Sequence, residues 1–182
     1  MTNVLLISED YVKANSGLDN NLYGKYLLPA IREAQDMGLQ PIIGTSLYDV
    51  LKGMVADGSI DGDYKNLLDT YIQPYLLYKT IANVIGIAST KIANLGAMRT
   101  EDEKAYNVSK EERDYLVNTH IYKADFYCDL LQRYLCKNRS NFPELNNCDC
   151  AGYSPNLKSS ESTGLWLGGE RGYNINNSYI GK

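Results

Sequence analysis

Apolar residues recur every three or four positions through most of the first 145 residues, and that spacing stops near Asn146. Such spacing marks helices that bury one face. The run NVLLIS leads into Ser8, Glu9 and Asp10, a hydroxyl followed by acids, which suits the unpaired amides of a helix start. A short helix over 9–14, ended by ANSG, is expected. Asp19 or Asn20 then caps a longer helix to Met37, with Leu22, Tyr23, Tyr26, Leu27, Ala30, Ile31 and Ala34 on its apolar face. Lys25, Pro29, Arg32 and Asp36 fall opposite, where water can bond the carbonyl that Pro29 leaves without a donor.

Gly38 reads as the left-handed stop of that helix, and Pro41 and Gly44 as the reversal after it. Thr45 or Ser46 caps the next helix, to about Ala56, with Leu47, Val50, Leu51 and Met54 inward. The result is a helix, a tight corner and a helix. DGSIDGD breaks the chain again. From Asp63 the run through YIQPYLLYKTIANVIGIAST is a central helix, bent near Thr70 because Pro74 follows a polar edge of Asn66, Asp69, Thr70 and Gln73. Residues 90–108, with a break at Gly96 and a charged RTEDEK tip, form a hairpin or an extended excursion. SKEE from Ser109 is a capping box, in which serine and glutamate satisfy each other's end amides. The last helix starts there and runs to about Lys137. Leu116, His120, Ala124, Tyr127, Leu131 and Leu135 form its inner stripe, widened by Tyr122, Phe126, Leu130 and Tyr134.

The fold class is therefore mainly α: a compact bundle of about four helices, with a small extended or hairpin excursion and a long irregular C-terminal tail. Residues 1–145 make the helical domain and 146–182 the tail. The tail is rich in Gly, Asn and Ser, so its own contacts do not repay its ordering entropy. Yet it carries Tyr153, Leu165, Trp166, Leu167, Tyr173, Ile175, Tyr179 and Ile180, including the only tryptophan. These are candidate interface anchors, ordered against a neighbouring chain; the alternative is a flexible tail with incidental aromatics.

Net charge is −4 and the pI about 5.0, so the chain lacks the cationic field that holds nucleic acid non-specifically. No window approaches the roughly 20 apolar residues of a membrane span, and the start lacks a basic leader. A cytoplasmic origin is expected. Cys128 and Cys136 fall within the last helix as small apolar residues; Cys148 and Cys150 form a C-x-C without a partner pair, so no metal or other cofactor is expected, a thiol or metal protein being a third reading. No phosphate loop, dinucleotide fingerprint, zinc-protease motif or nucleophile elbow is present. The glycines of LGGERG have neither a strand before them nor a helix after. His120 sits on an apolar stripe as a core or interface residue, with no nucleophile to serve, and no catalytic residue is assigned. Sixteen tyrosines against two phenylalanines suit surfaces buried only on assembly, with Tyr11, Tyr64, Tyr71 and Tyr106 at helix edges; the alternative is that tyrosine replaces phenylalanine in the core.

With LLISEDYVK at the start, LLPAIREAQDMGLQPIIGTSLYDVL around the corner, YIQPYLLY in the centre, the ANLGAM break and LLQRYLCKNRSNFPEL at the last helix end, residues 4–145 resemble the head-to-tail connector, or adaptor, proteins of tailed bacteriophages. The likeness is to the version in phages of Bacteroidetes and their proviruses, the crAss-like phages among them. The resemblance implies a non-enzymatic virion protein, made in the host cytoplasm. Many copies, commonly twelve, form a ring in the neck between portal and tail. Its partners would be further copies, the portal protein and further neck or tail proteins, with DNA passing through the channel without specific binding and no membrane involved. In such rings the C-terminal segment reaches the portal or a neighbouring subunit, and the tight corner would set two helices at a fixed angle in a repeating wedge. A reading of another class is a helical ligand-binding or regulatory module with a groove near His120.

Overall fold

Four helical rods and a short leading helix account for the body of the protein. The computed structural model describes residues 4–17, 24–88, 90–93, 96–99, 109–146 and 152–157. α1 spans Glu9–Asn15, and its cap is the expected one: the Ser8 side chain accepts from the Tyr11 amide at 3.0 Å. The proposed caps Asp19 and Asn20, with Leu22 and Tyr23, lie outside the described residues.

The first rod joins α2, Gly24–Glu33, to a π-helical stretch, Ala34–Leu39, and α3, Gln40–Ile43. Leu27, Ala30, Ile31 and Ala34 are buried, while Lys25, Pro29, Arg32 and Asp36 are exposed, as the pattern required. Gly38, however, does not stop the helix. It lies inside the π-helical stretch, where a β-carbon would come 2.8 Å from the Tyr75 hydroxyl, so glycine is there to admit a neighbouring ring. The reversal comes at Gly44, with φ 83° and ψ 154°, a combination open to essentially glycine alone. α4, Thr45–Ala56, follows, with Gly44 at its N-cap position in place of Thr45 or Ser46. Leu47 and Leu51 are buried, Val50 and Met54 half-buried, and Tyr48 is a further core residue.

The central rod is α5, Gly62–Asn66, a second π-helical stretch, Leu67–Ile72, and α6, Gln73–Ala88. Where a bend was expected, near Thr70, the rod carries this π-helical stretch. The two stretches share a cause. In each, the glutamine before a proline donates five residues back, Gln40 to Gln35 and Gln73 to Leu68. A proline ring collides with the carbonyl four residues earlier, and the wider π turn relieves that collision without breaking the rod.

β1, Thr90–Ala93, pairs antiparallel with β2, Gly96–Arg99, in the register Thr90 to Arg99 and Ala93 to Gly96. Gly96 opens the second strand, paired with Ala93. The residues after Arg99, with Tyr106, lie outside the described residues. α7 spans Lys110–Lys137 behind the expected capping box: the Ser109 side chain accepts from the Glu112 amide and the Glu112 carboxylate accepts from the Ser109 amide, at 3.1 and 2.9 Å.

α7 packs along α6, and α6 packs on α2, so the central rod is the spine. Gln35, a buried polar residue of the first rod, fastens the N-terminal segment to that rod. Its carboxamide oxygen accepts from the Leu6 amide at 2.7 Å and its nitrogen donates to the Val4 carbonyl at 3.3 Å. After α7, two short 3₁₀ turns, Arg139–Asn141 and Pro143–Asn146, bring Phe142 and Leu145 back into the core.

Candidate functional site: a docked strap and a two-faced last helix

Residues 152–157, placed in the tail by composition, lie as an extended strap against the corner. Thr45 holds Tyr153 twice: its amide donates to the Tyr153 carbonyl at 2.9 Å and its hydroxyl accepts from the Tyr153 amide at 2.8 Å. The Asn156 amide donates to the Ile42 carbonyl at 3.0 Å, and Gln132 of α7 donates to the Asn156 carbonyl at 2.9 Å. Pro155 lies so close over Gly44 that a β-carbon there would sit 2.9 Å from its ring. The corner is thus a receptor as well as a turn. Gly44 serves both purposes, through its backbone angles and through the room it leaves.

Gln132 is buried, and while its nitrogen serves the strap its carboxamide oxygen has no hydrogen-bond partner among the described residues. Leu157 packs against the core. The chain beyond it therefore starts from a fixed point on the body. Of the eight proposed anchors, Tyr153 is described: its main chain is held and its ring is 55% exposed. Leu165, Trp166, Leu167, Tyr173, Ile175, Tyr179 and Ile180 lie outside the described residues.

α7 carries two apolar faces. Ala124, Leu131 and Leu135 are buried, with His120 and Tyr127 half-buried beside them. Tyr115, Tyr122 and Phe126, seven and eleven residues apart and hence on one side of the helix, are 71%, 76% and 56% exposed. Tyr122 and Phe126 therefore do not widen the inner stripe, because they point away from Ala124 and Leu131. Leu116, expected inside, is 43% exposed. With Tyr115, Glu111 and Glu112 it lines an open trough of about 550 Å³ over the first turns of α7. The sequence signal for this outer face is an apolar period that occurs on both sides of one helix.

Most described tyrosines serve the interior of the protein rather than its outside. Tyr48 and Tyr75 are buried. Between the central rod and α7, Tyr71 stacks on Tyr134 with ring centres 4.1 Å apart, and Tyr78 stacks on Tyr127 at 5.5 Å. Tyr64 meets Phe142 edge on at 5.3 Å and donates to the Glu144 carboxylate at 2.9 and 3.0 Å. Tyr11, Tyr64 and Tyr71 are half-buried, so the edge positions are intramolecular packing. Their hydroxyls explain the choice of tyrosine over phenylalanine. That of Tyr48 donates to Asp36 at 2.5 Å, and the Asn66 side chain donates to that of Tyr134 at 3.2 Å.

His120 stacks on Tyr78, with ring centres 6.1 Å apart, and Lys123 Nζ lies 5.4 Å from the centre of the same ring. Nδ1 of His120 is buried without a partner among the described residues. Burial, and secondarily the Lys123 charge, hold its pKa below the usual imidazole value. Burial and the Glu144 carboxylate push the Tyr64 phenol up to about 12. Cys128 packs half-buried on α7, and Cys148 and Cys150 lie outside the described residues. Among the described residues no group of three or more histidines, cysteines and carboxylates could hold a metal, and no helix is long and apolar enough to cross a membrane.

Much of the fold, from the corner into the strap, falls within a known sequence unit. The chain belongs to the family of unknown function DUF6712, whose profile matches residues 39–155, nearly two thirds of the chain. That span opens at the corner and closes on Pro155, the residue that covers it. No curated protein and no solved structure matches the chain.

Proposed function

We propose that this protein is a structural subunit of a phage neck: copies form a ring that joins the portal to the tail and continues the DNA channel. The observation that carries the reading is the strap. A helical body built around packed aromatic seams holds the root of its C-terminal segment on the corner, through Thr45, Ile42, Gln132 and Gly44. The 25 residues that follow Leu157 contain seven of the eight proposed anchors and reach at most about 85 Å when extended. A rigid body with an adhesive arm of fixed origin is what a ring subunit needs to engage a protein above or below it. The exposed face of Tyr115, Tyr122 and Phe126 offers a second surface, for the side of a neighbouring copy.

The mechanism is mechanical and adhesive. The strap fixes where the arm begins, and the arm orders on its partner, giving up conformational entropy in exchange for buried aromatic and aliphatic side chains. An acidic chain suits a channel that DNA must traverse without sticking. The test is to purify particles of the phage that encodes the chain and to label this protein with a specific antibody fragment. Label at the junction of head and tail supports the reading. Particles without the protein, or with label elsewhere, contradict it.

A further inference from the structure

The arm sets out from a fixed point on the last helix. Gln132 holds the Asn156 carbonyl at 2.9 Å and Leu157 packs on the core, so the chain beyond it begins beside the C-terminal half of α7. The large apolar residues that α7 exposes, Phe126, Tyr122, Leu116 and Tyr115, come earlier in the helix. Tyr115 and Leu116, with Glu111 and Glu112, line the open trough of about 550 Å³. Pockets that take a compact apolar ligand span roughly 300–1,000 Å³, so the trough has room for more than one side chain.

Reach and chemistry match the arm to this trough. From Gln132 back to Leu116 the helix covers about 24 Å. Leu165, Trp166 and Leu167 come after Leu157 by about 26–36 Å of extended chain, enough for that distance and for passage around the helix. These three form the longest unbroken apolar run beyond Leu157 and include the only tryptophan. Two glycines follow, then Glu170 and Arg171, while α7 opens with Lys110 and Glu111. Each segment therefore offers the other a pair of charges of opposite sign.

We infer that the trough receives the chain's own residues 165–167, with the arm laid back along α7 in the free subunit. Burial of two leucines and a tryptophan drives the contact, and the paired charges fix its direction. The contact is a latch. A segment held on its own body at high effective concentration is withheld from other proteins until one of them binds it more strongly. Tyr115 stays covered until the arm is drawn away. The contact stands on the reach and chemistry of this chain, whereas its use in assembly rests on the function proposed above.

The test places a photo-crosslinking benzoylphenylalanine at Tyr115 in a full chain of natural isotopic composition, mixed with an excess of the full chain labelled with heavy isotopes. After irradiation and digestion with trypsin, mass spectrometry shows which copy's residues 159–171 are joined to it. The expected product carries the light peptide, with a yield that does not change with concentration. Leu165→Ser combined with Leu167→Ser, which alters no residue of the helices, lowers that yield, because losing two buried leucines cuts the ratio of latched to open chains by about tenfold or more. Three results overturn the inference: heavy peptides in the product, which assign the trough to a neighbouring copy; no crosslink to residues 159–171; or a yield that the double substitution leaves unchanged. None of them bears on where the protein sits in a particle.

Discussion

Thr45 and Tyr153 lie 108 residues apart in the sequence and are joined twice, amide to carbonyl at 2.9 Å and hydroxyl to amide at 2.8 Å. The pair ties the C-terminal segment to the turn between two helices, so the stability of the corner and the position of the arm are one property. The consequences can be measured.

Gly44 has angles that a side chain resists, and the ring of Pro155 covers it. Gly44→Ala should therefore cost about 1–3 kcal/mol, read as a lower midpoint in urea unfolding. It should also loosen the strap, seen as faster amide exchange at Tyr153 and Asn156. An unchanged midpoint would mean that the corner relaxes without resistance.

Tyr64 donates to Glu144 from a half-buried position, and its pKa is raised from 10.0 to about 12. A folded-state pKa above the unfolded one means that the folded state holds the proton more tightly. That stability is fully present below pH 10 and is lost as pH rises from 10 toward 12. Tyr64→Phe should cost about 1 kcal/mol at neutral pH and flatten part of the alkaline decline. The remaining decline belongs to other groups, Tyr48 and Tyr75 among them, whose phenols burial also pushes up. Chemical unfolding across that range checks both statements.

His120 carries the opposite sign. Its pKa is lowered from 6.5, so its contribution is present above that value and is lost as pH falls through the lower folded-state pKa. His120→Phe keeps the ring on Tyr78 and removes a buried nitrogen that lacks a partner among the described residues. The variant should lose less stability than the parent between about pH 7 and about pH 5, the range in which an imidazole charges. Equal losses would show that His120 is not the group responsible.

The outer face of α7 should matter for assembly and not for folding. Tyr122→Ser combined with Phe126→Ser removes two exposed rings, so the folded subunit should change by less than about 1 kcal/mol. Self-association measured by sedimentation should weaken. A large fall in unfolding midpoint would place these rings in the interior after all.

Where periodicity and caps were strong, the sequence foretold the structure. Ser8, the Ser109 and Glu112 pair, the exposed side of α2 and the start and end of α7 follow from residues acting locally. Gly38 misled because a glycine three residues before a proline reads as a helix stop, whereas the glycine makes room for Tyr75 and the π turn absorbs Pro41. Tyr122 and Phe126 misled because α7 is apolar on both sides, and a period alone does not say which side faces the core. The strap was out of reach for another reason. Its bonds all end on backbone atoms of Tyr153 and Asn156, three of the four from partners more than a hundred residues away, and no side-chain pattern announces them. As a candidate site, the corner could be read from the sequence as a turn and not as a receptor.

The strap also changes how the central proposal should be tested. Cutting the chain after Asn146 would remove the strap along with the arm, so a cut after Leu157, which spares every bond at the corner, is the informative one. The decisive measurement is electron microscopy of the purified protein mixed with the portal protein from the same genome, comparing the full chain with residues 1–157. The account predicts a ring of added density on one end of the portal with the full chain, and its loss or marked weakening with residues 1–157. A full-length protein that never joins the portal, under conditions in which both proteins are folded, would contradict it.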